Sequence, residues 1–516
     1  MKLFQQMLVA PAALGLLATG ANAAELNING VSDYSASADQ VTSVTQFSDV
    51  YPTDWAYQAL SNLVEQYGCV AGYPNGTFRG NRAMTRYEAA ALLNACLDRI
   101  TEVTDELKRL IKEFETELAI IKGRVDGLEA RVGELESTQF STTTKLSGLA
   151  TFVVGANRFK GSASRLRSES NEAFGGTTFN YDLQLGLETS FSGKDQLTTV
   201  LRGGNFDGDQ NAFGSGGPSG LATLETAFQE GDRPNLVAID KLFYAFPLGD
   251  DITVTTGPIV GQEDMLALWP SVYPSDAILD VLTVNGAPAA YNKTKGAGAG
   301  ISWAPESGFR VSASYVAANG AQSDPREGGI GTDNAASAAT LQLGWEAEQW
   351  RLAALYSKVQ NGNDLIGFAT PFTRSHFASN GVTHAFGLSG SWQPQESGWI
   401  PSLSAGWGIN SSDTSGDRSV ATSQSWTVGL EWSDVLLDGN NAGMAVGQPV
   451  FATTLHDSDA PADGPFIWEW WYQFQVTDNI SITPALFYLS RPMGAFTPSG
   501  TTFQQLGGLV KTSFRF

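Results

Sequence analysis

Between Trp468 and Phe516 the chain alternates residue by residue. Trp468, Trp470, Tyr472, Phe474 and Val476 are apolar, and Glu469, Trp471, Gln473 and Gln475 between them are mostly polar. After a Thr477-Asp478-Asn479 turn, Ile480, Ile482, Pro484, Leu486 and Tyr488 alternate with Ser481, Thr483, Ala485 and Phe487. The last segment sets Gly508, Val510, Thr512, Phe514 and Phe516 against Leu509, Lys511, Ser513 and Arg515. Period two is that of a β-strand with different surroundings on its two faces. A soluble sandwich would bury the apolar face. A transmembrane barrel turns that face to lipid and the polar face to an aqueous lumen.

Composition agrees with the second option. The chain has 516 residues with 16% charged and 11% aromatic side chains and 56 glycines. No uninterrupted apolar run is long enough for a spanning helix, which leaves a closed barrel as the way to cross a bilayer. The formal charge of −22 argues against general nucleic-acid binding. At the N-terminus, Lys2, the apolar stretch from Met7 to Leu17 and Ala21-Asn22-Ala23 read as a secretory signal over residues 1–23. Residues 24–46 read as a flexible leader. In an exported protein the two cysteines, Cys69 and Cys96, are disulfide candidates, the alternative being two buried thiols.

Residues 47–100 are predicted helical. One helix starts near Thr53-Asp54 and ends at Gly68; a second is capped by Thr85 with Glu88 three residues on. Phe47-Ser48-Asp49-Val50, Trp55, Gly72-Tyr73-Pro74-Asn75-Gly76-Thr77-Phe78-Arg79 and Thr85-Arg86-Tyr87-Glu88 together resemble one S-layer homology (SLH) domain. The resemblance implies binding to peptidoglycan or to a pyruvylated cell-wall polysaccharide, with Arg86, Glu88, Trp55, Tyr73 and Arg79 as candidate contacts. The family's motif is altered here by Tyr87. The plainer reading makes Trp55 core and Glu88 a cap.

Residues 101–138 carry apolar positions at Ile111, Phe114, Leu118, Ile121, Val125, Leu128, Val132 and Leu135, spaced alternately by three and four with charges between. That is a coiled-coil seam, about 60 Å long if fully helical. Gly123, Gly127 and Gly133 weaken it, so partner helices are expected. The SLH family usually assembles three repeats and this chain has one. A homotrimer would supply both the helices and the repeats; the alternatives are an intramolecular helix on the barrel wall and a single repeat that binds weakly.

From Thr142 onward, alternating runs fall at 183–191, 197–202, 242–248, 252–254, 301–303, 309–315, 341–345, 350–356, 403–409 and 426–432, besides the three at the C-terminus. The count predicts about 16 antiparallel strands, and such a barrel should leave an aqueous channel rather than a filled interior. Short turns alternate with long Gly/Ser/Asp-rich loops at about 160–176, 205–234, 262–295, 318–338 and 359–382. From a periplasmic start, every long loop then lies outside. Thr142-Thr143-Thr144-Lys145-Leu146-Ser147-Gly148, Asp240-Lys241-Leu242-Phe243-Tyr244, Phe246-Pro247-Leu248-Gly249-Asp250, Gly257-Pro258, Asp264-Met265-Leu266-Ala267 and Trp269-Pro270-Ser271 resemble the OprB-type carbohydrate-selective porins. They are most similar to the cyanobacterial branch, in which an SLH domain and a coiled coil precede the barrel. The resemblance implies an outer-membrane diffusion channel fastened to the cell wall.

The third long loop is the candidate constriction, with Glu263, Asp264, Asp276 and Asp280 beside Trp269 and Tyr273. Alternation points Arg202, Lys241, Arg310, Arg351 and Glu469 to the lumen, along with Asp182, Glu188 and Lys511. Each could equally be a plain solvated charge. The acids of the loop predict a mild cation preference. No catalytic, metal or cofactor site is expected: the three His lack ligand spacing, and Asp207-Gly208-Asp209 lacks the rest of a calcium loop. The reading is a porin passing small hydrophilic solutes and inorganic ions. The alternatives are a sugar-selective channel, a structural tether with a nearly closed barrel, or a barrel enzyme.

Overall fold

The computed structural model describes residues 41–54, 56–70, 76–80, 89, 92–94, 96, 112–114, 122, 124, 143–206, 210–362, 366–377, 380–396, 398–413 and 418–516. The alternation seen at the C-terminus carries through the second of two compact units, which begins at Phe140. Its strands are β1 (Thr144–Lys160), β2 (Thr178–Thr189), β3 (Gln196–Gly204), β4 (Val237–Leu248), β5 (Ile252–Gly261), β6 (Lys295–Trp303), β7 (Phe309–Ala317) and β8 (Ser337–Glu346). They continue with β9 (Trp350–Gln360), β10 (Val382–Trp392), β11 (Ser402–Asp413), β12 (Val420–Ser433), β13 (Asn441–Leu455), β14 (Ile467–Thr477), β15 (Ile480–Leu489) and β16 (Gln504–Arg515). A two-residue piece, Ser458–Asp459, folds back on β13. Neighbours pair antiparallel throughout. β1 closes the ring by pairing with β2 (Leu149 opposite Gln184) and with β16 (Leu149 opposite Arg515). Closure into 16 strands leaves no edge, as lipid requires.

The polarity is inverted relative to a soluble barrel. Phe152, Leu341, Leu343, Leu388, Trp407, Trp470 and Leu486 lie exposed on the outer face. Thr340, Gln342, Ser389, Ser404, Ser425 and Thr483 lie buried on the inner one. Only lipid makes that arrangement favourable for the outer belt. β1, β10 and β13 had no individual sequence assignment; in β10 and β13 the inner face is made of small residues (Ala385, Gly387 and Ser389; Gly443, Ala445 and Gly447), which thins the alternation. The connections 161–177, 205–236, 262–294, 318–336 and 361–381 leave one end of the barrel, and 190–195, 249–251, 304–308 and 347–349 leave the other.

The inner wall is not polar all round. Val153, Ile467, Trp471, Phe487, Leu489 and Leu509 point inward and pack with Phe206, Phe213, Leu221, Leu224, Ile278, Leu279 and Leu282 of the second and third loops. A second cluster joins Leu355, Val359 and Val450 of the wall to Val284, Ala287 and Tyr291 of the third loop and to Ile366, Phe372 and Phe377 of the fifth. The expected open interior is therefore corrected: part of the lumen is packed with loop. The physical reason is that apolar wall residues at inward positions recruit apolar loop residues out of water.

In the first unit, Val44, Phe47, Leu60, Val64, Val70 and the Cys69–Cys96 disulfide form a small core, against which Leu92 and Phe78 pack. Helix α1 spans Tyr57–Ser61, later than its expected start. Asp54 is used instead in the turn before it, its carboxylate accepting the Tyr51 N–H at 2.8 Å and its carbonyl the Tyr57 N–H at 3.1 Å. The helix widens over Asn62–Gln66, and Gly68 follows with φ +60°, the left-handed stop that glycine allows. The signal, leader residues 24–40, nearly all of the coiled coil and Asp207–Asp209 fall outside the described residues. Residues 41–46, expected as flexible leader, are instead part of the unit: Val44–Gln46 form a 3-10 turn capped by Ser43, because Val44 is drawn out of water into the core.

Candidate functional site

The third loop begins where β5 ends, at the turn Gln262–Met265. Its first contacts are made at once. Lys241 on β4 donates to Glu263 at 3.1 Å and to Asp264 at 2.7 Å. The buried Gln262 amide donates to Ala290 O at 2.7 Å, Thr340 Oγ1 at 2.8 Å and Ser357 Oγ at 3.2 Å. Gln342 on β8 then makes a two-way bond with the loop backbone at Leu268, 3.0 and 2.7 Å. The Val272 and Tyr273 N–H groups both donate to Ser404 Oγ on β11 at 3.0 Å.

On β14 the carboxylate of Glu469, fully buried, accepts the Tyr273 hydroxyl at 2.5 Å and the Leu279 N–H at 2.8 Å. On β16, Lys511 donates to the carbonyls of Asp276 and Ala277, and Arg515 pairs with the Asp276 carboxylate at 3.3 Å. The return limb is held by Ser389 on Asn285 O at 3.1 Å and Ser425 on Gly286 O at 2.9 Å. The segment thus lies inside the ring and touches strands on all sides of it. Such an approach needs a bare wall: a Cβ added at Gly406 would lie 1.7 Å from Asn285 O.

The second loop lies against the third. Leu224 and Leu279 form an isolated antiparallel bridge, and Glu225 N–H donates to Ile278 O at 2.9 Å. Arg202 pairs with buried Asp182 at 2.7 Å, its guanidinium 4.7 Å over the Phe228 ring. Lys293 pairs with Asp280 at 2.7 Å, and Lys295 with Asp240. Around this side of the constriction six carboxylates (Asp182, Glu225, Asp240, Glu263, Asp264, Asp280) meet four cations (Arg202, Lys241, Lys293, Lys295), 4 − 6 = −2. Burial pushes the carboxyl of Glu225 up to about 7; Lys293 opposes the shift and Asp280 adds to it.

The structure brings Glu263, Asp264 and Lys241 together, places Asp280 with Lys293, and seats Asp276 across the lumen on β16. Glu469 does not line open lumen; it lies beneath the loop and fastens it. Arg310 and Arg351 form a separate group with Glu346 (3.0 and 3.4 Å) near the turn 304–308, where Arg310 also donates to Pro305 O at 2.9 Å. Sequence reasoning missed Glu225, Asp240, Lys293 and Lys295: Lys293 meets Asp280 13 positions back in the same loop, and Lys295 meets Asp240 55 positions away on β4. Among the described residues no group of three His, Cys, Asp or Glu could hold a metal.

In the first unit, Trp55, Tyr73, Arg86 and Glu88 lie outside the described residues. Arg79 is exposed in a left-handed backbone conformation with φ 59°. Asp49 fixes that turn by accepting the N–H groups of Phe78 and Arg79, both at 2.6 Å. Burial opposes the charge of Asp49, but these two bonds outweigh it and hold the carboxyl below its usual value.

Residues 102–516 match the family described as carbohydrate-selective porin, OprB family. The chain belongs to the OprB family. Residues 46–90 match the S-layer homology domain. An uncharacterized protein of Nostoc sp. (strain PCC 7120) is 36% identical over 92% of this chain and 86% of its own. Outer membrane protein SlpA of Deinococcus radiodurans is 39% identical over 18% of this chain and 9% of its own. A solved Pseudomonas putida OprB, at high pH, is similar over 74% of this chain and 96% of its own, with 14% identity and a TM-score of 0.48. As an OprB-family protein with an SLH domain, the chain is an outer-membrane porin, a channel rather than an enzyme.

In this porin, removing the Glu469 carboxylate isolates two donors of the constricting loop. Glu469→Ala is expected to weaken the loop's seat by about 3 kcal/mol, the penalty for buried groups left unpaired. Limited proteolysis of folded protein reads this as faster cutting between residues 262 and 294.

Proposed function

We propose that the protein is a passive diffusion pore for small hydrophilic solutes and inorganic ions, weakly favouring cations. The SLH domain, through Arg86 and its neighbours, would fasten it to peptidoglycan or a pyruvylated wall polysaccharide, and a homotrimer would supply three such domains. The observation that carries the pore reading is the third loop held inside the ring, beside a strip in which carboxylates outnumber cations by two. A negative excess, which is two only when Glu225 is ionised, raises the local cation concentration in a narrow, low-dielectric passage.

The reversal potential across a KCl gradient tests this. A cation-selective value at pH 8 is expected to decline as pH falls through about 7, because Glu225 gains its proton there and loses its charge. Anion selectivity at pH 8 would sink the proposal. One observation favours a sugar channel as second reading: most of the lumen charges are paired off, so neutral solutes meet little field. Current block by added sugars, with the reversal potential near zero, would make that reading the better one.

A further inference from the structure

Alternation turns every second residue of each strand to the lumen, but water does not reach these positions equally. From β10 to β15 the inward Ser389, Ser404, Ser425, Ala445, Glu469 and Thr483 are buried. On β2 to β4 the inward Gln184, Thr198, Arg202, Lys241 and Phe243 stay half-exposed. The aqueous passage therefore follows β2–β4, beside the second and third loops.

The charges along this passage alternate in sign. Lys241 meets Glu263 at 3.1 Å. Glu263 and Glu225 both lie within the electrostatic reach of Lys293, which itself meets Asp280 at 2.7 Å. Glu225 also faces Arg202, and Arg202 pairs with Asp182 at 2.7 Å. The order is Lys241, Glu263, Lys293, Glu225, Arg202, Asp182, with Asp264 and Asp280 beside the two lysines. Lys293 and Asp280 keep 28% and 20% of their side-chain surface exposed. Among the described residues Glu225 has no ion-pair partner in contact, so its carboxylate can accept from a solute.

A lone ion is attracted by one rung of such a ladder and repelled by the next, so only the two additional acids bias it towards cations. A solute with both signs on neighbouring atoms is received differently, because each of its charges meets an opposite one at the same time. The existing pairs need not break. An ammonium has three donors, of which Lys293 uses one on Asp280, and a carboxylate accepts up to about four bonds. Resting on the pore reading above, we propose that this ladder selects zwitterionic solutes of the class of small α-amino acids. The solute carboxylate lies on Lys293 and its ammonium between Glu225 and Asp280.

The test is isosmotic swelling of liposomes holding the full-length protein, in glycine and in glycolamide, its uncharged isomer. Equal size makes the ratio of the two rates a measure of charge recognition, since a wider pore alters both alike. Wild type is expected to admit glycine at least about threefold faster. Lys293→Gln/Asp280→Asn, which keeps the net charge, should bring the two rates close to equal. Asp324→Asn/Arg326→Gln, an exposed pair of the fourth loop, should keep the wild-type ratio. If the first variant admits neither solute, Glu225→Gln alone should lower the ratio at least about twofold. Equal rates in wild type overturn the proposal and leave the pore reading standing. A wild-type ratio in either variant, or an equal loss in the control, also overturns it. Exclusion of both solutes by wild type overturns it too, and if KCl conductance is absent as well, the pore reading falls with it.

Discussion

Replacing residues 266–292 by a short Gly-Ser linker is expected to raise single-channel conductance about threefold or more, since conduction scales with the narrowest passage. The loop runs through the ring and packs on both of its apolar clusters. It supplies Ile278, Leu279 and Leu282 to one packed cluster and Val284, Ala287 and Tyr291 to the other. The barrel should survive the excision, because its strand pairing is continuous without the loop and β1 pairs with β16 directly. The bared wall would include Ser404, Ser389, Ser425 and Thr340, which water can satisfy, and also Trp471, Phe487 and Leu355, whose exposure costs stability that the continuous strand pairing must outweigh. Planar-bilayer recording of the folded variant is the measurement. The loss of Asp276 and Asp280 should also weaken the cation preference. An unaltered step size would mean that the second and fifth loops, not the third, set the resistance.

Breaking the Cys69–Cys96 bridge should remove wall binding while leaving the channel intact. The bridge closes a separation of 27 residues, and on the chain-entropy account such a closure is worth about 3.5 kcal/mol. That is a large part of the stability of a unit this small, whose core amounts to Val44, Phe47, Leu60, Val64, Val70 and the cysteines themselves. Asp49 adds a second, pH-dependent support. Its carboxyl is held below its usual value, so its stabilising effect is present at neutral pH and is lost as pH falls through the folded value. Co-sedimentation of full-length Cys69→Ser/Cys96→Ser protein with isolated cell-wall sacculi is expected to fall at least about tenfold, with unchanged conductance steps. Wild-type sedimentation by the variant would remove the disulfide from the account of anchoring.

Much of the barrel was legible because lipid imposes it. Trp470, Phe474 and Leu486 face out, while Glu469, Ser481 and Thr483 face in, and this separation writes period two into the sequence. The strand count and the side of the long loops followed from the same pattern. β10 and β13 escaped separate notice because small residues fill their inner faces and thin the alternation. Gly387 and Gly447 point inward and lie against third-loop atoms, so those small residues are the imprint of the docked loop.

The site was legible only in outline. Acids could be seen in the third loop, but Lys293, Lys295 and Glu225 gain their roles through contacts between separate elements, which no local pattern announces. Glu469 reads as a lumen charge from alternation alone. Only the Tyr273 hydroxyl and Leu279 N–H above it turn it into the loop's anchor. Asp463 was likewise silent. It accepts hydrogen bonds from Thr370 and Thr373 of the fifth loop and from Ala495 N–H, clasping three connections together.

The most direct test is the conductance of the purified, folded wild-type protein in a planar bilayer under simple salt. Discrete ohmic steps are predicted, because the loop lies inside a ring that still presents charged and polar groups along it. Silence from protein that retains its barrel, verified by the heat-dependent shift of its electrophoretic mobility, would contradict the pore and leave a closed barrel that only joins membrane to wall.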